Sequence, residues 1–497
     1  MDMTIVEMLE RNARLFPGKT AIIFGESRIS YRTFYEKANA LANFLIAMGL
    51  KKGDRVGLIL QKTPEVLISF LGVAAAGGIV FPIDYNQTLS HFEFLLKHTN
   101  PTVLITDERF QDILSRLEGR CSDEKTIVVG SKSTNQRRSW EEVFTQTSLN
   151  PPGVEIQDSE VVYLNFTSGT TGLPKGATTT HANIYWNTLS AVESLGLTGD
   201  DIHLCMFPVF MHPHELFARP LYLGGTIVLT DSIYPKSIAA LISEHRVTCM
   251  MATASIYDTL ARLPTSLAFN LSSLRIPESG GMYTHPALVQ KFMERFEVPI
   301  IPAWGSTETS GIALVAAVQG EQRPGSMGKP SPYYQVKVVG ESGEELPPDE
   351  VGEMVIHGPG VCSGYYNQPE ETGIYMKEGS FLTGDMVKRD RGGYYYFLSR
   401  KTGMMKVAGV KVFPLEIENM LLNHPKIEAA AVVKIQDRLR GEVPKAIIVA
   451  KNGLEISKDE ILKYCEKKMS RCKVPSIIEF RNELPKTPGG KILYREL

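Results

Sequence analysis

Eighteen consecutive residues, Val66 to Ile83, carry no charge, which is long enough to pose a choice between a membrane span and deeply buried globular elements. Internal punctuation decides it. Gly77-Gly78 interrupts the run and Pro82 closes it, so it divides into a buried helix over about 64–76, a turn, and a buried strand over 79–81. A chain that buries a helix and the next strand together calls for a sheet covered by helices. Neighbouring segments agree: residues 30–49 repeat apolar side chains at helical spacing up to a glycine stop, while 54–60 and 102–106 read as short buried strands.

The same α/β rhythm returns after a polar, turn-rich stretch at 119–158, with strands expected at about 161–165, 226–229 and 299–303 and helices at about 181–195, 235–245, 254–263 and 286–296. From about 325 the pattern changes to short β segments, 334–339, 352–357 and 393–398, as a small antiparallel barrel or sandwich would produce. After Arg400 come a helix (414–423), two strands (428–434 and 444–450), a helix (457–470) and a strand (476–480), a compact α+β unit. With 497 residues the chain exceeds what one hydrophobic core usually supports. The expected fold is therefore α/β: two α/β lobes over about 1–324, a β-rich subdomain over about 325–399 that completes a large N-terminal region 1–399, and a small C-terminal domain 403–497.

A net charge of −2 offers no long-range pull on polyanions, which argues against nucleic acid as a partner and makes any anion site local. The six cysteines are scattered without a C-x-x-C pair, against both a disulfide framework and a structural zinc site. No secretory signal opens the sequence and no S-K-L address closes it. The expectation is a cytoplasmic enzyme without integral membrane association, with a homodimer left open.

Residues 161–176, Val-Val-Tyr-Leu-Asn-Phe-Thr-Ser-Gly-Thr-Thr-Gly-Leu-Pro-Lys-Gly, run from an apolar strand into a loop of four hydroxyls (Thr167, Ser168, Thr170, Thr171), three glycines (Gly169, Gly172, Gly176) and Lys175. Glycines let backbone N–H groups close around a polyphosphate, hydroxyls add donors, and a lysine supplies a point charge. Pro174 and Gly176 stand where a Walker A loop needs glycine and Ser or Thr, so kinase or GTPase chemistry is not implied. Taken alone, an exposed Gly/Thr turn would look similar.

This loop resembles the phosphate-binding signature of the adenylate-forming superfamily: acyl-CoA synthetases, luciferases and peptide-synthetase adenylation domains. The order of further motifs from about residue 5 to 495 is similar to that family's. Ala303-Trp304-Gly305-Ser-Thr307-Glu308 matches its aromatic-Gly-x-Thr-Glu motif, and the resemblance implies that Trp304 stacks on adenine, Thr307 touches the α-phosphate and Glu308, with Thr171, serves Mg²⁺. Ser279-Gly280-Gly281-Met282-Tyr283 resembles the loop bordering adenine and the acyl pocket. Thr383-Gly-Asp385 and Arg400 match the ribose-binding acid and the arginine at the domain junction. Lys406-Val-Ala408-Gly409, with Lys411, resembles the loop that swings in for thioester formation, and Lys491 in Pro485-Lys-Thr-Pro-Gly-Gly-Lys491 the lysine that contacts carboxylate and α-phosphate.

The resemblance implies ATP, Mg²⁺ and coenzyme A as cofactor and co-substrates, a small-molecule carboxylic acid as substrate, and a C-terminal domain that turns about a hinge at Lys401–Thr402. Two positions depart from the family pattern. Thr402-Gly403 stands where the hinge usually carries Asp or Lys, and Met211-His212 shifts the customary gate histidine by one. His212-Pro-His214-Glu215 lacks H-E-x-x-H spacing and is no zinc site. The acyl pocket is expected from Tyr185, Phe210, Met211, His212, Gly280, Met282, Gly305 and Ile312, an apolar, partly aromatic wall suited to an aryl, alicyclic or medium-chain acid. The implied reaction is AMP-forming acid–CoA ligation, with carrier-protein loading and a catalytically inactive nucleotide-binding regulator as alternatives.

Overall fold

The computed structural model describes residues 2–116, 123–130, 137–145, 147–167, 174–267, 269–486 and 492–497. The uncharged run 66–83 resolves as the helix Pro64–Ala75, a glycine turn and the strand Ile79–Pro82. Eleven of that helix's side chains are buried, because it is packed between two sheets and has no solvent face. Among the described residues, no helix is long and apolar enough to cross a membrane.

One sheet has the strand order Arg138–Ser139, Thr126–Val129, Val103–Asp107, Arg55–Ile59, Ile79–Pro82, Val161–Thr167, Lys175–Thr180. Its interior pairs are parallel and its last pair antiparallel. A longer sheet carries Ile202–Cys205, Cys249–Ala252, Ile276–Ser279 and Ile301–Ser306 as parallel neighbours, then turns antiparallel at Gly311–Val315. Helices Tyr31–Ala47 and Pro64–Ala75 lie in the core between the sheets, where Gly72 permits close approach: a Cβ there would sit 2.9 Å from Leu41 Cβ. Phe70 packs on Tyr163 and Phe217, with ring centroids 5.6 and 5.3 Å apart. Each fully buried side chain of this size contributes about 1.5–3 kcal/mol.

Beyond residue 330 an antiparallel sheet takes over: Gln335–Val339, Val351–His357, Ser380–Arg389 and Met376–Lys377, with Tyr395–Arg400 paired on Ser380–Arg389. Ser380–Arg389 was not expected, because Thr383-Gly384-Asp385 reads locally as a turn. Cross-strand hydrogen bonding overrides that preference and carries the strand through it with an irregularity at Met386/Val387. The last unit has its own sheet, with Val410–Val412, Met405–Val407, Gly441–Ala450, Ile427–Asp437 and Ile477–Phe480, and helices Pro414–Leu422 and Lys458–Lys468. Its apolar cluster, including Met405, Ile417, Leu421, Ala446, Ile461 and Cys465, is separate from those of the sheets before it.

Candidate active site

The site begins where the strand Ile301–Ser306 folds back on Gly311–Val315. Gly305 faces Ile312 across this pair, and a Cβ at Gly305 would lie 2.3 Å from Gly311 O; glycine is what permits the close approach. Asn187, on the helix His181–Leu195, ties the turn down by donating from Nδ2 to Ile312 O (2.9 Å) and Thr309 O (3.4 Å).

Trp304 points from this hairpin toward the antiparallel sheet, and its indole N–H donates to Asp385 Oδ2 at 2.9 Å. Asp385 is the direct cross-strand partner of Arg400. Arg400 Nε lies 2.8 Å from Asp385 Oδ1, and Nη1 donates to Thr383 O at 3.0 Å. Thr383 Oγ1 in turn accepts from Asp385 N at 3.0 Å. The fifteen-residue separation of Asp385 and Arg400 is thus the length of an antiparallel excursion that returns to the same place. A carboxylate so held, 1% exposed, is oriented by the indole hydrogen bond on Oδ2 and by the Arg400 charge beside Oδ1, and retains acceptor capacity for further hydroxyls.

Thr307 is buried and Glu308 half-buried. Glu308 Oε1 accepts from Tyr365 OH at 2.8 Å, and Glu308 O accepts from Cys362 N at 2.8 Å. Burial first, and the Glu308 carboxylate second, push the Tyr365 phenol well above its ordinary range, so it stays a donor. No group of three or more His, Cys, Asp or Glu is gathered among the described residues. One oriented carboxylate nevertheless fits Mg²⁺ that arrives with phosphates, since this ion is commonly held by one or two carboxylates plus substrate oxygens and water.

Thr167 and Lys175 are cross-strand partners, so the ends of the glycine-rich loop are anchored. The expected phosphate-binding residues Ser168, Gly169, Thr170, Thr171 and Gly172 lie outside the described residues. Lys175 Nζ forms an ion pair with Glu371 and sits 4.0 Å from the centroid of the Tyr375 ring. Lys491 also lies outside the described residues. On either side of it Lys486 bridges to Ile492, Leu493 N donates to Pro485 O at 2.9 Å, and Tyr494 OH donates to Glu418 Oε1 at 3.0 Å.

Gly280 and Gly281 follow the strand Ile276–Ser279, whose Ser279 Oγ is 2.7 Å from Thr284 Oγ1. Gly281 takes φ +79° and is exposed, a conformation glycine adopts freely. Met282 is half-buried and Ala303 buried. The structure separates the expected acyl-pocket residues into groups. Gly305 and Ile312 are together, whereas Tyr185 packs its ring edge-on against Trp186 and Tyr222, 5.4 and 5.9 Å away. Tyr185 and Asn187 are two positions apart on one helix, hence on different faces, and it is Asn187 that reaches Ile312. Phe210 stands edge-on to Tyr85, Met211 O accepts from Asn165 Nδ2, and His212 stands edge-on to Phe207. His214, the other histidine of that segment, is buried with Nδ1 2.6 Å from Tyr163 OH.

Lys406, Ala408, Gly409 and Lys411 form an exposed hairpin between Met405–Val407 and Val410–Val412. Ala408 and Gly409 have φ +48° and +84°, as a two-residue turn of this kind requires. Lys411 pairs with Glu341 at 3.1 Å, and Ala408 N donates to Arg440 O at 2.7 Å. Thr402 lies in a tight turn closed by Gly403 N and Met404 N onto Arg400 O. Asn187, Tyr365, Glu371 and Tyr375 were missed in the sequence. Nothing in their local spacing marks them; each matters through a partner 57 to 200 residues distant.

Comparison with known proteins matches residues 9–366 to the AMP-binding enzyme family and residues 416–491 to the AMP-binding enzyme C-terminal domain. The chain belongs to the AMP-binding enzyme family. It is 31% identical to a feruloyl-CoA synthase of Amycolatopsis sp, over 98% of this chain and 97% of that one. With an indoleacetate–CoA ligase of Aromatoleum aromaticum the identity is 30%, over 99% and 96%. Among solved structures, the anthranilate CoA ligase AuaEII in complex with anthranoyl-AMP superposes with a TM-score of 0.92 at 28% identity, covering 99% of this chain and 96% of that one. A benzoate CoA ligase from Burkholderia xenovorans LB400 gives 0.89 at 25%, covering 99% of each. This member of the family places its tryptophan, acid and arginine, Trp304, Asp385 and Arg400, in one bonded cluster.

Proposed function

We propose that this AMP-forming acid–CoA ligase, a user of Mg-ATP and coenzyme A, activates an aromatic carboxylic acid. The observation that carries the nucleotide part is the Trp304–Asp385–Arg400 cluster beside Glu308. An aromatic face, a buried ribose-type acceptor and a metal-type carboxylate converge there from strands far apart in sequence. The acid part is supported by Gly280 and Gly305 on neighbouring strand ends, whose missing side chains suit the approach of a flat ring, and by relatives that act on feruloyl, indoleacetate, anthranilate and benzoate groups.

In this reading the substrate carboxylate attacks the α-phosphorus of ATP, forming the acyl–O–P bond and releasing pyrophosphate. The CoA thiolate then attacks the acyl carbon and releases AMP. No protein nucleophile is needed, and the chain contributes position and charge. Trp304 stacks on adenine, Asp385 accepts from the ribose hydroxyls, and Thr307 donates to the α-phosphate. Glu308, oriented by Tyr365, would hold Mg²⁺, which would supply charge neutralisation on the phosphates. Lys175 exchanges Glu371 for phosphate oxygens, helped by the hydroxyls and glycines from Thr167 to Gly172, and Lys491 bridges the carboxylate and α-phosphate. For the second half-reaction the C-terminal domain turns at Lys401–Thr402, bringing Lys406, Ala408, Gly409 and Lys411 to the thiol.

The experiment is a panel of aryl, alicyclic and medium-chain acids assayed for AMP release and consumption of free CoA. The expected outcome is turnover with aryl acids and free CoA. Thiolation of a holo carrier protein alone would overturn the acceptor, and preference for aliphatic acids would overturn the acid class.

A further inference from the structure

Beside Gly311 lies a buried charge cluster that the adenylation chemistry does not use. Arg219, on the helix Ala218–Leu223, places Nη1 2.6 Å from Glu278 Oε2 and Nη2 3.0 Å from Glu215 Oε2. The three side chains are 8, 1 and 3% exposed, in the order Arg219, Glu278, Glu215. Two carboxylates therefore share one guanidinium. Surrounding groups do not balance the difference: burial pushes the His203 imidazole down to about 3 and the Cys205 thiol up to about 12, so both stay neutral. Lys62, the nearby ammonium, is held elsewhere by Met206 O, Thr230 O and Asp231.

Glu215 Oε1 is buried and makes no hydrogen bond among the described residues. Leaving a buried acceptor unsatisfied costs about 1–3 kcal/mol, more for a charged group, so an orphan oxygen calls for an explanation. It borders a cavity of about 20 Å³, enough for one water-sized group. Glu215, Arg219, Glu278, Met206, Phe207 and Met251 are among its lining.

The cavity lies one side chain away from the expected acyl wall, through Met251 in its lining. A Cβ at Gly311 would lie 2.7 Å from Glu215 Oε1, and a Cβ at Gly280 3.0 Å from Met251 Cε. One glycine and one methionine side chain, the most adaptable of apolar residues, separate Gly280 and Gly305 from the charge cluster. Glu278 itself immediately precedes Ser279-Gly280.

We propose that the acid substrate carries a hydrogen-bond donor, a hydroxyl or an ammonium or amino group, at the end remote from its carboxylate, and that this group seats in the cavity and donates to Glu215 Oε1. The proposal rests on the reading of the Gly280–Gly305–Ile312 wall as the acyl pocket and names which acids that pocket prefers. Size restricts the seated group to a single heavy atom with its hydrogens. Size also excludes a second carboxylate, whose three heavy atoms exceed the cavity. A methoxy group has no hydrogen to donate and leaves Oε1 unsatisfied.

Five cinnamic acids, unsubstituted and with 4-hydroxy, 4-amino, 4-methoxy or 4-carboxy groups, and the matching benzoic acids test this through kcat/KM for AMP release. The 4-hydroxy or 4-amino acid is expected to exceed the unsubstituted acid by about 10- to 100-fold, with the methoxy and dicarboxylic acids below both. In Glu215→Gln, whose amide keeps the volume and loses the charge, that ratio is expected to fall about tenfold or more, most for the 4-hydroxy acid, the stronger donor. Equal or better use of unsubstituted or methoxy acids by the unaltered enzyme overturns the proposal, and so does an unchanged ratio in folded Glu215→Gln. The unaltered enzyme's panel decides alone if that variant does not fold. Turnover without donor preference sinks only this proposal, whereas absence of AMP release with every acid sinks the reading beneath it.

Discussion

Asp385 and Arg400 face each other across adjacent antiparallel strands, with Arg400 Nε 2.8 Å from Asp385 Oδ1 and the Trp304 indole N–H 2.9 Å from Oδ2. The guanidinium is 57% exposed, so the pair contributes little as a surface ion pair. Its value is orientation: the indole donor and the guanidinium charge fix the carboxylate and leave its remaining lone pairs for the proposed nucleotide site.

Replacing Asp385 with Asn is therefore expected to lower kcat/KM for ATP by about 10²-fold, because a charged acceptor becomes a neutral one beside the same indole N–H and guanidinium. Pyrophosphate exchange at varied ATP measures it. An unchanged value would remove Asp385 from the nucleotide site.

Tyr365→Phe deletes the hydroxyl that orients Glu308 and leaves the ring in place. Loss of such an outer hydrogen bond commonly costs 10–100-fold in metal affinity or activity, so the Mg²⁺ concentration for half-maximal exchange is expected to rise about tenfold. A magnesium titration at fixed ATP checks this, and an unaltered midpoint would separate Glu308 from the metal.

Lys491→Ala is expected to reduce adenylation by about 10²–10³ while thioester formation from preformed acyl-AMP is largely retained. Assaying the two half-reactions separately decides; equal losses in both would refute a role confined to the first.

Gly311 has φ +120°, and a Cβ there would fall 2.4 Å from Asn187 Oδ1 as well as against Glu215. Gly311→Ala combines backbone strain with a clash in a closed wall, and a loss of about 2–4 kcal/mol is expected. Denaturant unfolding measures it, and a change below about 0.5 kcal/mol would mean that this wall is not close-packed.

Glu418 accepts from Val432 N at 2.8 Å and from Tyr494 OH at 3.0 Å, yet burial raises its carboxyl from 4.5 to about 7. An acid raised on folding binds its proton more tightly in the folded state, so its contribution is present at low pH and is lost as pH climbs through about 7. Between pH 5 and 7.5 the C-terminal unit is expected to lose roughly 2–3 kcal/mol from this group. Amide exchange along Ile427–Asp437 reads it, and Glu418→Gln is expected to flatten the profile.

Much of the architecture was legible because it rests on local pattern. The helices 181–195, 235–245 and 286–296 and the strand 226–229 fall where periodicity puts them, since helix caps and buried faces are written in adjacent residues. The strand Ser380–Arg389 was hidden, because its central Thr-Gly-Asp prefers a turn until two neighbouring strands supply hydrogen bonds. Tyr185 was expected in the acyl pocket for its aromatic character; its ring packs on Trp186 and Tyr222, and helix phase makes Asn187 the residue that reaches Ile312.

The sequence by itself determined the chemistry available: a Gly/Thr loop with Lys175, a Trp-Gly-x-Thr-Glu segment, an acid and an arginine fifteen residues apart, and a lysine near the end. Only the tertiary structure decided who holds whom. Tyr365 on Glu308, Trp304 on Asp385, and Arg219 on Glu278 are contacts between residues 57, 81 and 59 positions apart. Side-chain type is local information, but desolvation and hydrogen-bond geometry belong to the assembled core, and those set what a carboxylate does.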